Sequence, residues 1–148
     1  MPKLGSKTKS PARWFAETEM QVQFFDLDPM QIVWHGNYVK YLEVARCALL
    51  DKIGYNYEEM RDSGYMWPII DMNLRYAGAA VFGQRLLLRA EIVEWENRLR
   101  IDYLISDLAT GKRLNRASTT QVAVDATTGE MCFVSPSILF EKLGVQAP

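Results

Sequence analysis

The stretch Asn37-Tyr38-Val39-Lys40-Tyr41-Leu42-Glu43-Val44-Ala45-Arg46-Cys47-Ala48-Leu49-Leu50-Asp51-Lys52-Ile53 keeps one period from end to end. Tyr38, Leu42, Ala45, Leu49 and Ile53 follow one another at steps of four, three, four and four, which places them on a single helical face. Val39, Val44, Cys47, Ala48 and Leu50 widen that apolar arc, so the helix is expected to be covered on more than one side. Lys40, Glu43, Asp51 and Lys52 can reach solvent or a helix end. Asn37 suits the cap at the start, and Gly54 suits the left-handed residue past the end.

On either side of the helix the period is two. Between Phe15 and Phe25, Thr18, Met20, Val22 and Phe24 alternate with Glu17, Glu19, Gln21 and Gln23, the pattern of a half-buried strand that Pro29 terminates. Downstream, 55–64 reads as a helical turn plus loop, and 67–76 as a strand. The small residues Ala77-Gly78-Ala79-Ala80 then make a break where backbone can be approached closely. Two strands follow, with Leu86, Leu88, Ala90 and Ile92 on one face of 85–95 and Leu99, Ile101, Tyr103 and Ile105 on one face of 99–107. Asp107-Leu108-Ala109-Thr110-Gly111-Lys112 is a hairpin turn into a strand at 113–124. Another turn at 125–130 leads to a last strand at 131–134 and a helical turn at 137–143. One long helix against one antiparallel sheet is an α+β architecture, a single domain over 15–143 between a flexible tail at 1–14 and a short one at 144–148.

Composition narrows the function. With 49% hydrophobic and 24% charged residues in 148, the chain is an ordinary globular protein and not a disordered one. Seventeen basic against eighteen acidic residues give a net charge of -1, which excludes a general nucleic-acid binder but leaves room for a local basic patch and a small anion. Two cysteines and one histidine exclude a disulfide framework and a histidine-rich metal site, so no metal is expected. No apolar run approaches the ~20 residues that span a bilayer, and the basic start lacks the apolar core of a secretory signal. A cytoplasmic protein without membrane insertion is expected.

The chemistry concentrates between the first strand and the helix, in Asp26-Leu27-Asp28-Pro29-Met30-Gln31-Ile32-Val33-Trp34-His35-Gly36-Asn37-Tyr38. Pro29 pushes Asp28 toward extended backbone, which pre-orients its carboxylate. His35-Gly36-Asn37 falls where the helix opens and amides lack intrahelical partners, so they can hold a carbonyl oxygen on which charge develops. A carboxylate on one side of a carbonyl and a helix amino end on the other is a minimal acyl-transfer site. On residue type alone, Asp28 reads first as a turn residue, Asp26 is expected to be solvated, His35 reads as a structural hydrogen-bonding residue, and Trp34 and Tyr38 read as core or interface aromatics.

The whole run from Asp26 to Arg46 closely resembles the opening signature of the 4-hydroxybenzoyl-CoA thioesterase family, including its branch related to the Tol-Pal-associated acyl-CoA thioesterases. Weaker similarity continues through Trp67-Pro68-Ile69-Ile70, Tyr76, Phe82-Gly83 and Glu94-Trp95, over roughly 16–142. The resemblance implies the hotdog fold, a long central helix wrapped by a curved antiparallel sheet, with subunits joined into homodimers or homotetramers. Asp28 matches the family's catalytic carboxylate, with both the nucleophile and the general-base role open. His35 matches the residue whose amide polarises the thioester carbonyl. By the same carry-over Trp34 lines the acyl pocket, Asn37 and Tyr38 shape the site, and Arg98 is the residue left to meet the CoA phosphates. The aryl-specific basic cluster is otherwise missing, and so is a lysine before the 77–80 break.

The expected function is therefore an acyl-CoA thioesterase acting on acyl-CoA or aryl-CoA. It would use no cofactor, CoA being part of the substrate. A hotdog hydratase or dehydratase on 3-hydroxyacyl thioesters, or a non-catalytic acyl-CoA binding module, stand as alternatives.

Overall fold

In a computed structural model that describes residues 14–148, the period-two segments become strands β1 (Phe15–Gln21), β3 (Ile69–Tyr76), β4 (Arg85–Glu94), β5 (Leu99–Asp107) and β6 (Arg113–Gln121). The period-3.6 segment becomes helix α1 (Asn37–Ile53). Short elements fill the gaps: α2 (Tyr57–Asp62), β2 (Tyr65–Met66), β7 (Val124–Asp125) and α3 (Ser137–Leu143). The five long strands form one antiparallel sheet in the order β1-β4-β5-β6-β3, while β2 and β7 pair separately.

Helix α1 lies across β1, β4 and β5. Its Tyr38, Leu42, Ala45 and Leu49 are buried against Leu86, Leu88, Ala90, Leu99, Ile101 and Ile105 of the sheet, so the two periodicities meet in one core. Gly54 ends the helix at φ 74, a left-handed value that glycine adopts without strain. This long helix held by a curved antiparallel sheet is the hotdog architecture.

Several elements depart from the sequence reading. Asn37 does not cap α1: Gly36 is the cap residue and makes no side-chain cap bond. Phe24 does not continue the buried face of β1, because the chain turns into a 3-10 turn (Phe24–Asp26) that leaves its ring 71% exposed. Strand β6 stops at Gln121. Residues 131–134 form no strand, only an isolated bridge from Met131 to Val124. Trp14, assigned to the tail, stacks edge-on against Trp95 at 4.8 Å, and Val145 packs on the core beyond α3. The rest of the 1–14 tail lies outside the described residues.

Two polar clusters fix elements that matter below. Trp67 Nε1 donates to Tyr55 Oη at 3.1 Å, Tyr55 Oη bonds Ser63 Oγ at 2.8 Å, and Gln121 Nε2 donates to the Trp67 carbonyl, which together anchor the entry to β3. Arg46, buried on α1, pairs with Glu43 and donates to Tyr57 Oη, tying α1 to α2. Burial works against its charge, but Tyr103, Tyr57 and Glu43 outweigh it and hold the guanidinium protonated.

Candidate active site

Past β1 the chain makes a small hairpin. The Asp28 amide donates to the Ile32 carbonyl, the Gln31 amide donates back to the Asp28 carbonyl, and Leu27 bridges Val33. Gln31 occupies the left-handed position of this turn at φ 65, the one non-glycine residue with positive φ among the described residues. A side chain there costs about 1–2 kcal/mol relative to glycine. Gln31→Gly is therefore expected to raise the unfolding free energy by about 1 kcal/mol in urea denaturation. An unchanged or lower value would show that the turn is not strained.

The turn sets the Asp28 carboxylate. Oδ1 accepts from the Met30 amide at 2.8 Å, and Oδ2 has no partner among the described residues. One oxygen is thus fixed and the other is free for chemistry.

Below the turn, the backbone that opens α1 is held from both sides. The Asp26 carbonyl accepts from the Trp34 amide at 2.9 Å and from Asn37 Nδ2 at 2.7 Å. The His35 carbonyl accepts from Tyr76 Oη at 2.9 Å. The His35 and Gly36 amides make no hydrogen bond to any described residue. They are the donors that a helix start leaves over.

Asp26 is not solvated, contrary to expectation. It is 8% exposed, and its Oδ2 accepts from Tyr41 Oη at 2.9 Å and from the Gln23 amide at 3.0 Å. Burial, and then the bond to Asp26, hold the Tyr41 hydroxyl protonated well above the usual tyrosine range. Asp26 is a structural brace under the site.

Asp28, His35 and Tyr38 meet in the wall of one cavity of about 520 Å3, a size that suits a small organic ligand. Met30, Ile32 and Val33 line it from the turn, and Tyr76, Ala77, Gly78 and Ala79 line it from the end of β3. Tyr76 contacts His35 and Tyr38 edge-on, at 6.4 and 5.4 Å between ring centres. Tyr38 is buried, and burial pushes its pKa up against the opposing pull of the Ala80 backbone. Tyr76 and the 77–79 backbone were not singled out as site residues from the sequence. The available signal was an aromatic at a strand end followed by residues too small to fill the space beside it.

The other residues carried over by resemblance stand elsewhere. Trp34 is half exposed, with its ring over Gly36 and outside the cavity wall. Asn37 is buried and spends its side-chain amide on Asp26. Arg98 bonds Glu94 at 2.8 Å beside Leu99, which aligns through Gln121 with Ile69. Tyr76 is seven residues further along β3, about 23 Å away. Within one chain, Arg98 therefore does not reach the cavity.

Residues 22–141 match the profile of the thioesterase-like superfamily. The chain belongs to that superfamily. A Synechocystis protein named "Putative esterase sll0410" is 31% identical over 88% of this chain and 79% of its own length. A Bacillus subtilis protein named "Putative acyl-CoA thioesterase YneP" is 28% identical over 74% of this chain and 80% of its own length. Among solved structures, a 1,4-dihydroxy-2-naphthoyl-CoA thioesterase from Synechocystis superposes with a TM-score of 0.78 at 20% identity, covering 88% of this chain and 96% of that one. At that identity the likeness is one of fold. The thioesterase-like match includes the whole turn, the start of α1 and the 77–79 segment, so it spans every wall of the cavity.

Proposed function

We propose that this chain is an acyl-CoA thioesterase, hydrolysing a CoA thioester to a carboxylic acid and CoA at the Asp28 cavity. The observation that carries the reading is the pairing of a carboxylate oxygen free of partners with unpaired amides at the start of α1. The thioester carbonyl oxygen accepts from the His35 amide, where charge developing on it is stabilised by a fixed dipole. Asp28 either attacks the carbonyl carbon, forming a mixed anhydride that water then hydrolyses to free the carboxylate, or takes a proton from the water that attacks that carbon. The carbon–sulfur bond breaks, CoA leaves as the thiol, and the carboxylic acid remains. A thioester carbonyl has little resonance support, so these groups suffice without a metal or a further cofactor. Tyr76 steadies the His35 carbonyl. The Tyr38 hydroxyl stands in the cavity wall and can donate a hydrogen bond to the acyl group.

The same reading includes assembly. Phe24, Phe25, Met30, Phe82 and Val81 are large apolar side chains left half or more exposed around the turn, and β3 is an edge strand. Surfaces of that kind are covered by partners. A homodimer or homotetramer covers them with copies of this chain. No described helix is long and apolar enough to cross a membrane, and a cytoplasmic setting fits a CoA thioester substrate.

Thiol release from a panel of straight-chain and aromatic acyl-CoAs tests the proposal. Turnover of at least one member with stoichiometric free thiol is expected. Loss of enoyl absorbance from an enoyl-CoA without thiol release would make the chain a hydratase. Tight thioester binding with no turnover of any member would make it a binding module.

A further inference from the structure

The face of the sheet turned away from α1 carries five arginines whose charges are only partly matched. Antiparallel register lines side chains up in rows across the strands. One row runs Arg75 (β3), Arg116 (β6), Leu104 (β5), Arg89 (β4), Glu17 (β1). The next runs Asn73, Ser118, Asp102, Glu91, Phe15. At the β1 end the charges are matched: Arg89 pairs with Glu17 at 3.2 Å and with Glu91 at 4.0 Å. Arg100 pairs with Asp102 at 3.5 Å. At the β3 end they are not. Arg75 and Arg116 are direct cross-strand partners, and neither they nor Arg113 make an ion pair or hydrogen bond to any described residue.

Like charges held opposite each other, with Cα atoms roughly 5 Å apart, repel. In a chain with a net charge of -1, that is a local excess of positive charge: three arginines share one cavity wall with a single carboxylate, Asp102. A cavity of about 310 Å3 opens between these groups, lined by Arg75, Arg100, Arg116, Asn73, Ser118 and Asp102, with a smaller one of about 160 Å3 running on toward Arg113 and Arg89. Two planar guanidinium forks converging on one cavity match the several oxygens of a phosphate or diphosphate. Ser118 and Asn73 add neutral donors, and Asp102 is held off by Arg100.

The geometry points to a phosphate-binding site on this outer face, with Arg75 and Arg116 as its principal contacts and a diphosphate or phosphorylated nucleotide as its ligand. The site lies on the opposite side of β3 from the Asp28 cavity, since Tyr76 lines that cavity and Arg75, one residue earlier, points the other way. It stands whether or not Asp28 hydrolyses thioesters.

Calorimetric titration of the full chain with inorganic pyrophosphate, and separately with adenosine 3′,5′-bisphosphate, tests it at low salt. Wild type is expected to bind pyrophosphate, and Arg75→Ala/Arg116→Ala to bind it at least about 30-fold more weakly. Arg61→Ala removes the same charge from α2 and should leave binding unchanged. Both arginines are exposed and repel each other, so the double variant should keep its melting temperature; Arg116→Gln alone serves if it does not. No binding of either probe to wild type would overturn the site. So would equal weakening by the double variant and Arg61→Ala, which would reduce the effect to overall charge. Loss of self-association in the double variant, with no probe bound by wild type, would make the face a contact between copies instead. Steady-state kinetics then identify the source of the phosphate. A raised KM for acyl-CoA at constant kcat in the double variant means that the phosphates are the substrate's own. An unchanged KM with pyrophosphate binding lost means that the ligand is a separate phosphate compound.

Discussion

Asp28→Asn keeps the fold and lowers kcat for acyl-CoA hydrolysis about 10²- to 10⁴-fold, the range over which a positioned acid, base or nucleophile contributes. The substitution is nearly isosteric. Asparagine keeps an Oδ1 that accepts from the Met30 amide, so the turn survives. What disappears is the unpartnered anionic oxygen. The check is steady-state thiol release beside a thermal melt. A melting temperature within a degree or two of wild type, with kcat down and KM little changed, is the expected pair of results. A rate within threefold of wild type would remove Asp28 from the mechanism, and with it the claim that this cavity is where the thioester is cleaved.

The second large effect is on stability. Asp26→Ala is expected to lower the unfolding free energy by about 2–4 kcal/mol in urea. Its Oδ2 is the acceptor for both Tyr41 Oη and the Gln23 amide. Truncation leaves the Tyr41 hydroxyl buried without a partner, which costs more than the hydrogen bond itself contributes. Asp26→Asn should cost less, because an acceptor oxygen remains. Tyr41→Phe measured alone and together with Asp26→Ala closes a double-mutant cycle, and the two losses should fall well short of adding. Full additivity would mean that the contact contributes nothing to the fold.

The two aspartates show what the sequence could and could not reveal. Asp26 and Asp28 stand two apart in the same polar run, and nothing local separates them. Their environments differ because Tyr41, fifteen residues away on α1, comes back to Asp26 while only the Met30 amide, two residues away, reaches Asp28. The first is a tertiary contact and is invisible to periodicity; the second is a turn that Pro29 announces. The long elements that were most legible are α1 and strands β4 and β5, which write their buried faces into the spacing of Leu, Ile, Tyr and Ala. Phe24 misled because its alternation continues past the residue where the backbone leaves the sheet. Asn37 misled because a helix-start asparagine has two uses, and a buried carbonyl from Asp26 outcompeted its own helix. Arg98 is close to the signature only along the family pattern; in the chain it sits at the far end of a strand. Tyr76 was hidden because its role depends on where the 77–79 backbone passes, which three small residues leave undetermined.

The register of β1 against β4 has a consequence for how the protein is made. Phe15 pairs with Glu91 and Gln21 with Arg85, so β1 leaves the ribosome with its hydrogen-bonding neighbour more than sixty residues behind it. At about 5–20 residues per second, translation leaves that strand waiting for several seconds. Helix α1 at 37–53 packs on β1 and emerges well before β4, so it can shelter Ala16, Met20 and Val22 while the sheet is still incomplete.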